Sequence, residues 1–384
     1  MTLPASGPLS LNDIKTEFNG VNPIAMNAYY RNGTYVTGNN TSVPTSGAIS
    51  ISNFYGAQRG VGLTWTQAAT YQTSGLIANT IAYGAGIYVI GGSGASITSM
   101  YSTDGNTWTT SNAIIALMNT PVSINFVNNK FIALASAYTA GAQSTDGINW
   151  TALTASSGTA KPYGYYGIIW DGTNYITYSN SAYGGSGTLV SNNLSSWTFY
   201  SQSFDIGGNG NCSLISAFSK IYTISGFGAA ACLVYSSSNS GNTWSSQNIT
   251  SLFSWPSTTY FKSIKFSGTT IFVIAYDPNT STTYAASSTD GSTWTNRSSV
   301  FGFFVPGSTI WAQANWVTTA ASTENAYTST DLSSVTLATS AATAMGSGYP
   351  IIYQLGNGLA TNGSGQVIAV GTANPGGTRI IKSP

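Results

Sequence analysis

The sequence Ser-Thr-Asp-Gly-x-x-Trp occurs three times, at Ser102–Trp108, Ser144–Trp150 and Ser288–Trp294. Degenerate copies lie between and after these. Ser191 to Trp197 keeps the Ser and the Trp, Ser237 to Trp244 carries Asn239 at the acidic place, and Ser329 to Val335 keeps only Ser-Thr-Asp. A further Trp, Trp65, has no such motif before it. The copies end at 65, 108, 150, 197, 244, 294 and 335, so successive steps are 43, 42, 47, 47, 50 and 41 residues. A period of this size belongs to propeller blades and solenoids, in which one supersecondary unit recurs and cannot bury its apolar face alone.

Each period also carries two strand-like runs before the motif. The second reads GIYVIGG (86–92), KFIALAS (130–136), NYITYSN (174–180), KIYTISG (220–226), TIFVIAY (270–276), NWVTTAA (315–321) and QVIAVGT (366–372). A shorter run precedes it and ends in a turn such as the Asn-Asn of INFVNNK, a hairpin signal. The unit is therefore strand, turn, strand, loop, a third strand ending in Ser, the Asp-Gly turn, and a fourth strand beginning at Trp. Four strands per unit and seven units predict an all-β, seven-bladed β-propeller over residues 58–384. The chain finishes in TRIIKSP, which matches a third strand, while LTWTQ at 63–67 supplies a fourth. One blade is thus expected to be shared by the two ends, with the strand around Ile380 pairing with that around Thr64 and Trp65, so that no sheet edge stays open.

Composition narrows the chemistry. Only 5% of the residues are charged, the net charge is +1, and histidine is absent. Imidazole bases, His-metal sites and Ser-His or Cys-His pairs are excluded. No basic cluster offers a footprint for nucleic acid or anionic lipid, and no apolar run reaches the ~18 residues of a membrane helix. No cofactor or metal is implied. The opening MTLPASGPLSLNDIK lacks a signal-peptide pattern. A surface of Ser, Thr, Asn and Gly suits a protein working outside a cell, released by lysis. Cys212 and Cys232 fall in the first and third strands of one blade, about 9–10 Å apart, too far for a disulfide, so two free thiols are expected.

The Ser-Thr-Asp-Gly-x-x-Trp units resemble the Asp-box repeats of sialidase-type propellers, most fully at Ser238–Trp244. That resemblance places the turns between third and fourth strands, on the face opposite the ligand side. The residue types have a structural reason of their own. Asp104, Asp146, Asn239 and Asp290 can accept hydrogen bonds from the turn's N–H groups, the glycine supplies a positive φ, and Trp108, Trp150, Trp244 and Trp294 bury their rings.

Residues 1–57 lack the blade pattern. LPASGPLSLNDI (3–14) parallels VPTSGAISISNF (43–54), and PIAMNAYY (23–30) echoes both. Ser10 with Leu11, Ile14 and Phe18 fits a short capped helix. The segment is expected to be too small for a core and to fold on a partner. Its three phrases resemble the leading segment of tailed-bacteriophage virion proteins, particularly from phages of cyanobacteria and other marine bacteria. That resemblance implies a virion-attachment segment on the external surface of the particle, in the tail by preference. Leu9, Leu11, Ile14, Phe18, Ile49, Ile51, Phe54 and Tyr55 would dock to other virion proteins, with a homo-oligomer on the particle an open option.

Three functions remain. The first is a tail-fibre or tail-tip adhesin whose propeller binds host surface carbohydrate. The second is a structural or decorating protein of tail or capsid, and the third a glycosidase. The last needs paired carboxylates, yet the only glutamates are Glu17 and Glu324, and the four arginines (Arg31, Arg59, Arg297, Arg379) do not reproduce a sialidase cluster. A non-enzyme is expected. For the adhesin, aromatic residues in the loops between blades and between second and third strands are the candidates: Tyr163, Tyr165, Tyr166, Tyr183, Trp255, Tyr260, Tyr276 with Asp277, Phe301, Phe303 and Phe304.

Overall fold

A computed structural model describes residues 3–18, 20, 25–31, 35–36, 40, 42–57, 65–73, 76–93, 99–111, 113–114, 117–118, 121–135, 141–153, 167–179, 185–204, 214–225, 232–253, 259–277, 279–301, 306–312, 315–320, 326–329, 332, 336–338, 341, 344–345, 358–362, 366–373 and 377–383. Among them the strands form seven antiparallel sheets of four. Blade one is Ile77–Gly84, Ile87–Ser93, Ser99–Ser102 and Thr109–Ser111. Blade two is Pro121–Val127, Lys130–Ala135, Gly141–Ser144 and Thr151–Leu153. Blade three is Ile169–Trp170, Tyr175–Ser179, Gly187–Ser191 and Thr198–Ser201. Blade four is Ile215–Ala217, Lys220–Ser225, Leu233–Ser237 and Ser245–Asn248. Blade five is Tyr260–Phe266, Ile271–Asp277, Thr282–Ser288 and Thr295–Asn296. Blade six is Pro306–Ala312, Asn315–Ala320, Ala326–Ser329 and Thr336–Ala338. Blade seven joins Leu359–Thr361, Val367–Ala373 and Gly377–Lys382 to Thr66–Thr73 from the other end of the chain.

The first strands of successive blades touch all the way round, blade seven meeting blade one, so the seven sheets close into a propeller. Burial follows from that arrangement. Second strands lie between neighbouring blades and are covered on both faces, which is why Ile271–Asp277 is buried throughout. Fourth strands form the rim, and Ser245–Asn248 is exposed throughout. First-to-second-strand hairpins use pairs of positive φ angles, at Ala85 and Gly86, Asn128 and Asn129, and Phe218 and Ser219, the geometry of two-residue turns that match strand twist.

The shared blade forms as expected. Thr66 pairs with Lys382 and Gln67 with Ile381, and after a bulge Gln72 pairs with Arg379. Trp65, 3% exposed, packs with Val367, Ile381 and Val317. Buried threonines stitch blades together. Thr378 Oγ1 donates to the Leu76 carbonyl (2.7 Å) and accepts from the Ala78 N–H (3.0 Å), and Thr80 Oγ1 accepts from the Ile124 N–H (3.1 Å). Cys232 sits immediately before its strand, buried, with a free thiol whose pKa desolvation pushes well up; Cys212 lies outside the described residues.

The amino-terminal segment corrects one expectation. Its described residues hold a core of their own, in which Ile14, Phe18 and Phe54 are buried with Leu3, Tyr29, Val36, Val43 and Ala57 while Leu9 and Ile49 pack against them. Three rings make this possible in so short a stretch. Phe18, Tyr29 and Phe54 contact one another edge-to-face at centroid distances of 6.5, 6.2 and 6.4 Å. A side chain at Gly20 would collide with the Tyr29 ring, so the chain needs glycine there. The two parallel phrases adopt matching turns. Ser10 caps the helix Leu11–Glu17 and Ser50 the 3-10 turn Ile51–Phe54, and Asp13 and Asn53 each accept from the cap's N–H at 2.8 Å. Tyr55 donates its hydroxyl to the Gly7 carbonyl (2.7 Å), as Tyr30 does to Gly47. Of the eight residues expected to dock, only Leu11 and Ile51, at equivalent places in the two phrases, reach solvent as exposed apolar side chains, at 38% and 36%.

Thr378→Val removes the hydroxyl shared by two buried inter-blade bonds and should lower stability by about 2 kcal/mol, the cost of leaving the Leu76 carbonyl and Ala78 N–H without it. Thr378→Ser should retain most of it. Denaturant midpoints of the two variants check this, and equal midpoints would contradict the bridging role.

Candidate functional site

The boxes sit between third and fourth strands in every blade where the motif is described. The serine at the end of the third strand accepts the glycine N–H, at 2.9 Å for Ser102–Gly105, 2.8 Å for Ser144–Gly147 and 2.8 Å for Ser288–Gly291. One oxygen of the acidic residue then takes two further N–H groups: Asn106 and Thr107 on Asp104, Ile148 and Asn149 on Asp146, Ser292 and Thr293 on Asp290, all within 2.7–2.9 Å. Asn193 does the same for Ser195 and Ser196, and Asn239 for Thr243. The Asn149 amide and the turn's N–H groups hold the Asp146 carboxyl far below the usual carboxylate range. The N–H groups of Thr293 and Ser292 do so for Asp290. At Asp104 burial alone would raise the pKa, and the bonds from Thr107, Asn106 and Ser102 outweigh it.

The box glycines have positive φ, and their α-carbons also press on the preceding blade. A Cβ at Gly105 would lie 2.6 Å from Ile368 of blade seven, and one at Gly147 would lie 2.7 Å from Val89 of blade one. Where leucine replaces glycine, Leu194 and Leu332 accept φ near 65° and bury their side chains in blades two and five, beside Ile132 and Leu134 and beside Phe272 and Ile274. Trp108 and Trp294 are buried, whereas Trp150 and Trp244 are partly so; the Trp108, Trp150 and Trp244 ring N–H groups donate to the box glycine carbonyl at 3.3, 3.2 and 3.0 Å.

Of the loop aromatics expected to bind a ligand, Tyr163, Tyr165, Tyr166, Tyr183, Trp255, Phe303 and Phe304 lie outside the described residues. Tyr260 opens the first strand of blade five, and Phe301 ends the short helix Ser298–Phe301. Tyr276 and Asp277 are corrected. Both are buried at the end of a second strand, where Asp277 accepts from the Asn279 N–H (3.1 Å) and the Thr280 hydroxyl (2.6 Å) and so fixes its own turn. The structure thus places them at the end of a strand and not in a loop.

A cleft of about 430 Å³ opens instead on the box side of the ring, between blades three and four. Its cause is a one-residue insertion. The fourth box runs Ser237-Ser238-Asn239-Ser240-Gly241, with Ser237 and not Ser238 as the serine that accepts the glycine N–H (2.9 Å). The extra residue, Ser240, adopts φ +57° and reaches across to blade three. There its hydroxyl donates to Asp171 Oδ2 (2.6 Å) and accepts from the Asn174 amide (3.2 Å). Asp171 Oδ1 meanwhile caps its own hairpin, taking the N–H groups of Thr173 and Asn174 at 2.8 and 2.7 Å. Gln202 makes a second clamp, its amide donating to the Asn242 carbonyl at 3.1 Å.

Between the clamps the walls carry Asn192, Thr198, Tyr200 and Asn242, with Val190 as the apolar patch. The side chains of Asn192, Thr198, Tyr200 and Asn242 make no hydrogen bond among the described residues. Such a recess offers amides and hydroxyls that donate and accept, beside one aromatic ring, without a cation or a nucleophile-base pair. Among the described residues no cluster of three or more metal-ligating side chains exists, and no helix is long and apolar enough to cross a membrane.

No family model matches the sequence, and neither does any curated protein. Among solved structures the chain is similar to a streptogramin B lyase, with TM-score 0.58 and 7% identity over 85% of this chain and 100% of that one. It is also similar to the GH74 enzyme of Niastella koreensis, with TM-score 0.52 and 14% identity over 71% of this chain but only 46% of the enzyme. At these identities the likeness shows the propeller fold and nothing of activity.

Because Asn193 and Asn239 fill the acidic place in two boxes, the turn needs an acceptor and not a charge. Asp146→Asn should therefore leave the melting temperature nearly unchanged, whereas Asp146→Ala should cost roughly 1 kcal/mol. The box carboxyls have folded pKa values below their unfolded ones. Their contribution is fully present above about pH 4 and is lost as pH falls from there toward the lowered values. Melts at pH 3 and pH 7 should show a smaller drop in the Asp104→Asn, Asp146→Asn, Asp290→Asn triple variant than in the parent.

Proposed function

We propose that this chain is a non-catalytic component of a tailed-phage particle, attached through residues 1–57 and binding host-surface carbohydrate through its propeller. The observation that carries the binding reading is the cleft between blades three and four, where the side chains of Asn192, Thr198, Tyr200 and Asn242 bond to none of the described residues. Sugars present closely spaced hydroxyls that both donate and accept, and amide side chains match them without the desolvation cost of an ion. An aromatic plane complements the apolar face of a sugar ring.

The non-catalytic reading draws support from the carboxylates. The five propeller aspartates within the described residues, Asp104, Asp146, Asp171, Asp277 and Asp290, all accept hydrogen bonds from their own turns. Glu17 is buried in the amino-terminal helix. A hydrolase needs a carboxyl free to give up or take a proton at the substrate, and these are committed to holding backbone. Attachment through the amino-terminal segment rests on its likeness to phage virion leaders, and the paired exposed Leu11 and Ile51 supply an apolar contact on an otherwise self-sufficient module.

Purified full-length chain should bind host cells and reduce particle adsorption in competition, and isolated surface polysaccharide should relieve the effect. Leu11→Ser with Ile51→Ser should fold, since both side chains face solvent, yet fail to assemble onto particles. If the chain binds no cells while particles lacking it adsorb normally, the decorating role replaces the adhesin. Release of reducing sugar from the polysaccharide by the chain would restore the glycosidase.

A further inference from the structure

The insertion that makes the cleft also decides what it admits. Ser240 is the residue the other boxes lack, and its hydroxyl is tied to the Asp171 carboxylate at 2.6 Å. That carboxylate stands directly behind one wall of the recess. No lysine or arginine lines the cleft to offset it; the lining is Asn174, Val190, Asn192, Tyr200, Asn242 and their serine, threonine and asparagine neighbours. Asp171 has its Oδ1 turned to two backbone N–H groups and its Oδ2 to Ser240. An acidic ligand entering here approaches that carboxylate with no lysine or arginine in the lining beside it. A neutral one meets only dipoles.

Resting on the carbohydrate reading above, we infer that the cleft selects neutral saccharides, hexose or N-acetylhexosamine chains, over those bearing uronate or sialate groups, and that Asp171 is the residue responsible for the exclusion. Asn192 comes from the box of blade three and Asn242 from that of blade four, so a sugar bound to both is held by two blades. The Ser240 and Gln202 clamps fix the gap before a ligand arrives, which removes part of the ordering cost of binding. Tyr200 and Thr198 line the same recess as further hydroxyl-bearing residues.

The full-length chain, labelled and applied to an array of neutral hexose and N-acetylhexosamine glycans beside uronate- and sialate-bearing ones, should bind neutral spots. Asn192→Ala and Asn242→Ala should each weaken that signal roughly fivefold, the loss of about one net hydrogen bond. Both side chains are exposed, so thermal melts should match the parent. Asp171→Asn keeps the turn's acceptor and should raise binding to acidic glycans relative to neutral ones. Preference for acidic spots in the parent, or an unchanged neutral-to-acidic ratio in Asp171→Asn, overturns the selectivity. Neutral binding that survives the Asn192→Ala, Asn242→Ala double variant moves the sugar to another surface and overturns the cleft while leaving the carbohydrate reading intact. An array with no bound spot removes the carbohydrate reading itself, and this inference with it.

Discussion

Each blade has two apolar faces and no helix to cover them, so the fold depends on one blade lying flat against the next. The box turn is where that contact is closest. Its glycine has no side chain because the preceding blade occupies the space, as at Gly105 against Ile368 and at Gly241 against Thr188. In two blades the chain solves the same problem the other way, driving Leu194 and Leu332 into the neighbour at the expense of a left-handed backbone. Both solutions couple the local turn to the ring, and neither works in an isolated blade. The shared seventh blade then removes the last uncovered pair of edges.

Neutral interactions carry the structure. With 5% charged residues, hydrogen bonds from hydroxyls, amides and backbone take places that ion pairs hold elsewhere. The acidic residues follow this rule, because the boxes use a carboxylate as an acceptor that asparagine replaces in two of seven blades. The cleft has the same origin. The recess lies where one box is a residue longer and its extra serine is bonded sideways to Asp171. Departure from the repeat, and not the repeat itself, marks this recess.

The blades were legible because a buried or half-buried tryptophan marks six of the seven periods and because second strands, covered on both faces, read as continuous apolar runs. Rim strands such as Ser245–Asn248 carry no hydrophobic signal and were placed only by the Trp before them. The amino-terminal core was underestimated by length alone. Its signal was present, since Ile14, Tyr29 and Phe54 are the fourth residues of the helical elements in the three related phrases and meet in one cluster. Tyr276 and Asp277 looked like loop residues because a strand's end cannot be told from a loop's start by composition. The cleft was missed although its mark is in the sequence: SSNSGNTW is one residue longer than STDGNTW. What no spacing reveals is that the added serine turns toward a neighbouring blade's hairpin, a contact made between residues 69 apart.

The pairing of Thr66–Thr73 with Gly377–Lys382 has a mechanical side. The amino-terminal module joins the ring through the residue before Thr66, at the outermost strand of the shared blade. A load applied along that strand is resisted by its whole ladder at once, as shear, and the bulge between Gln67 and Gln72 interlocks the register against sliding. The same load applied across the strand would peel the rungs singly. Any tension on the amino-terminal module would therefore reach the strand whose pairing closes the ring.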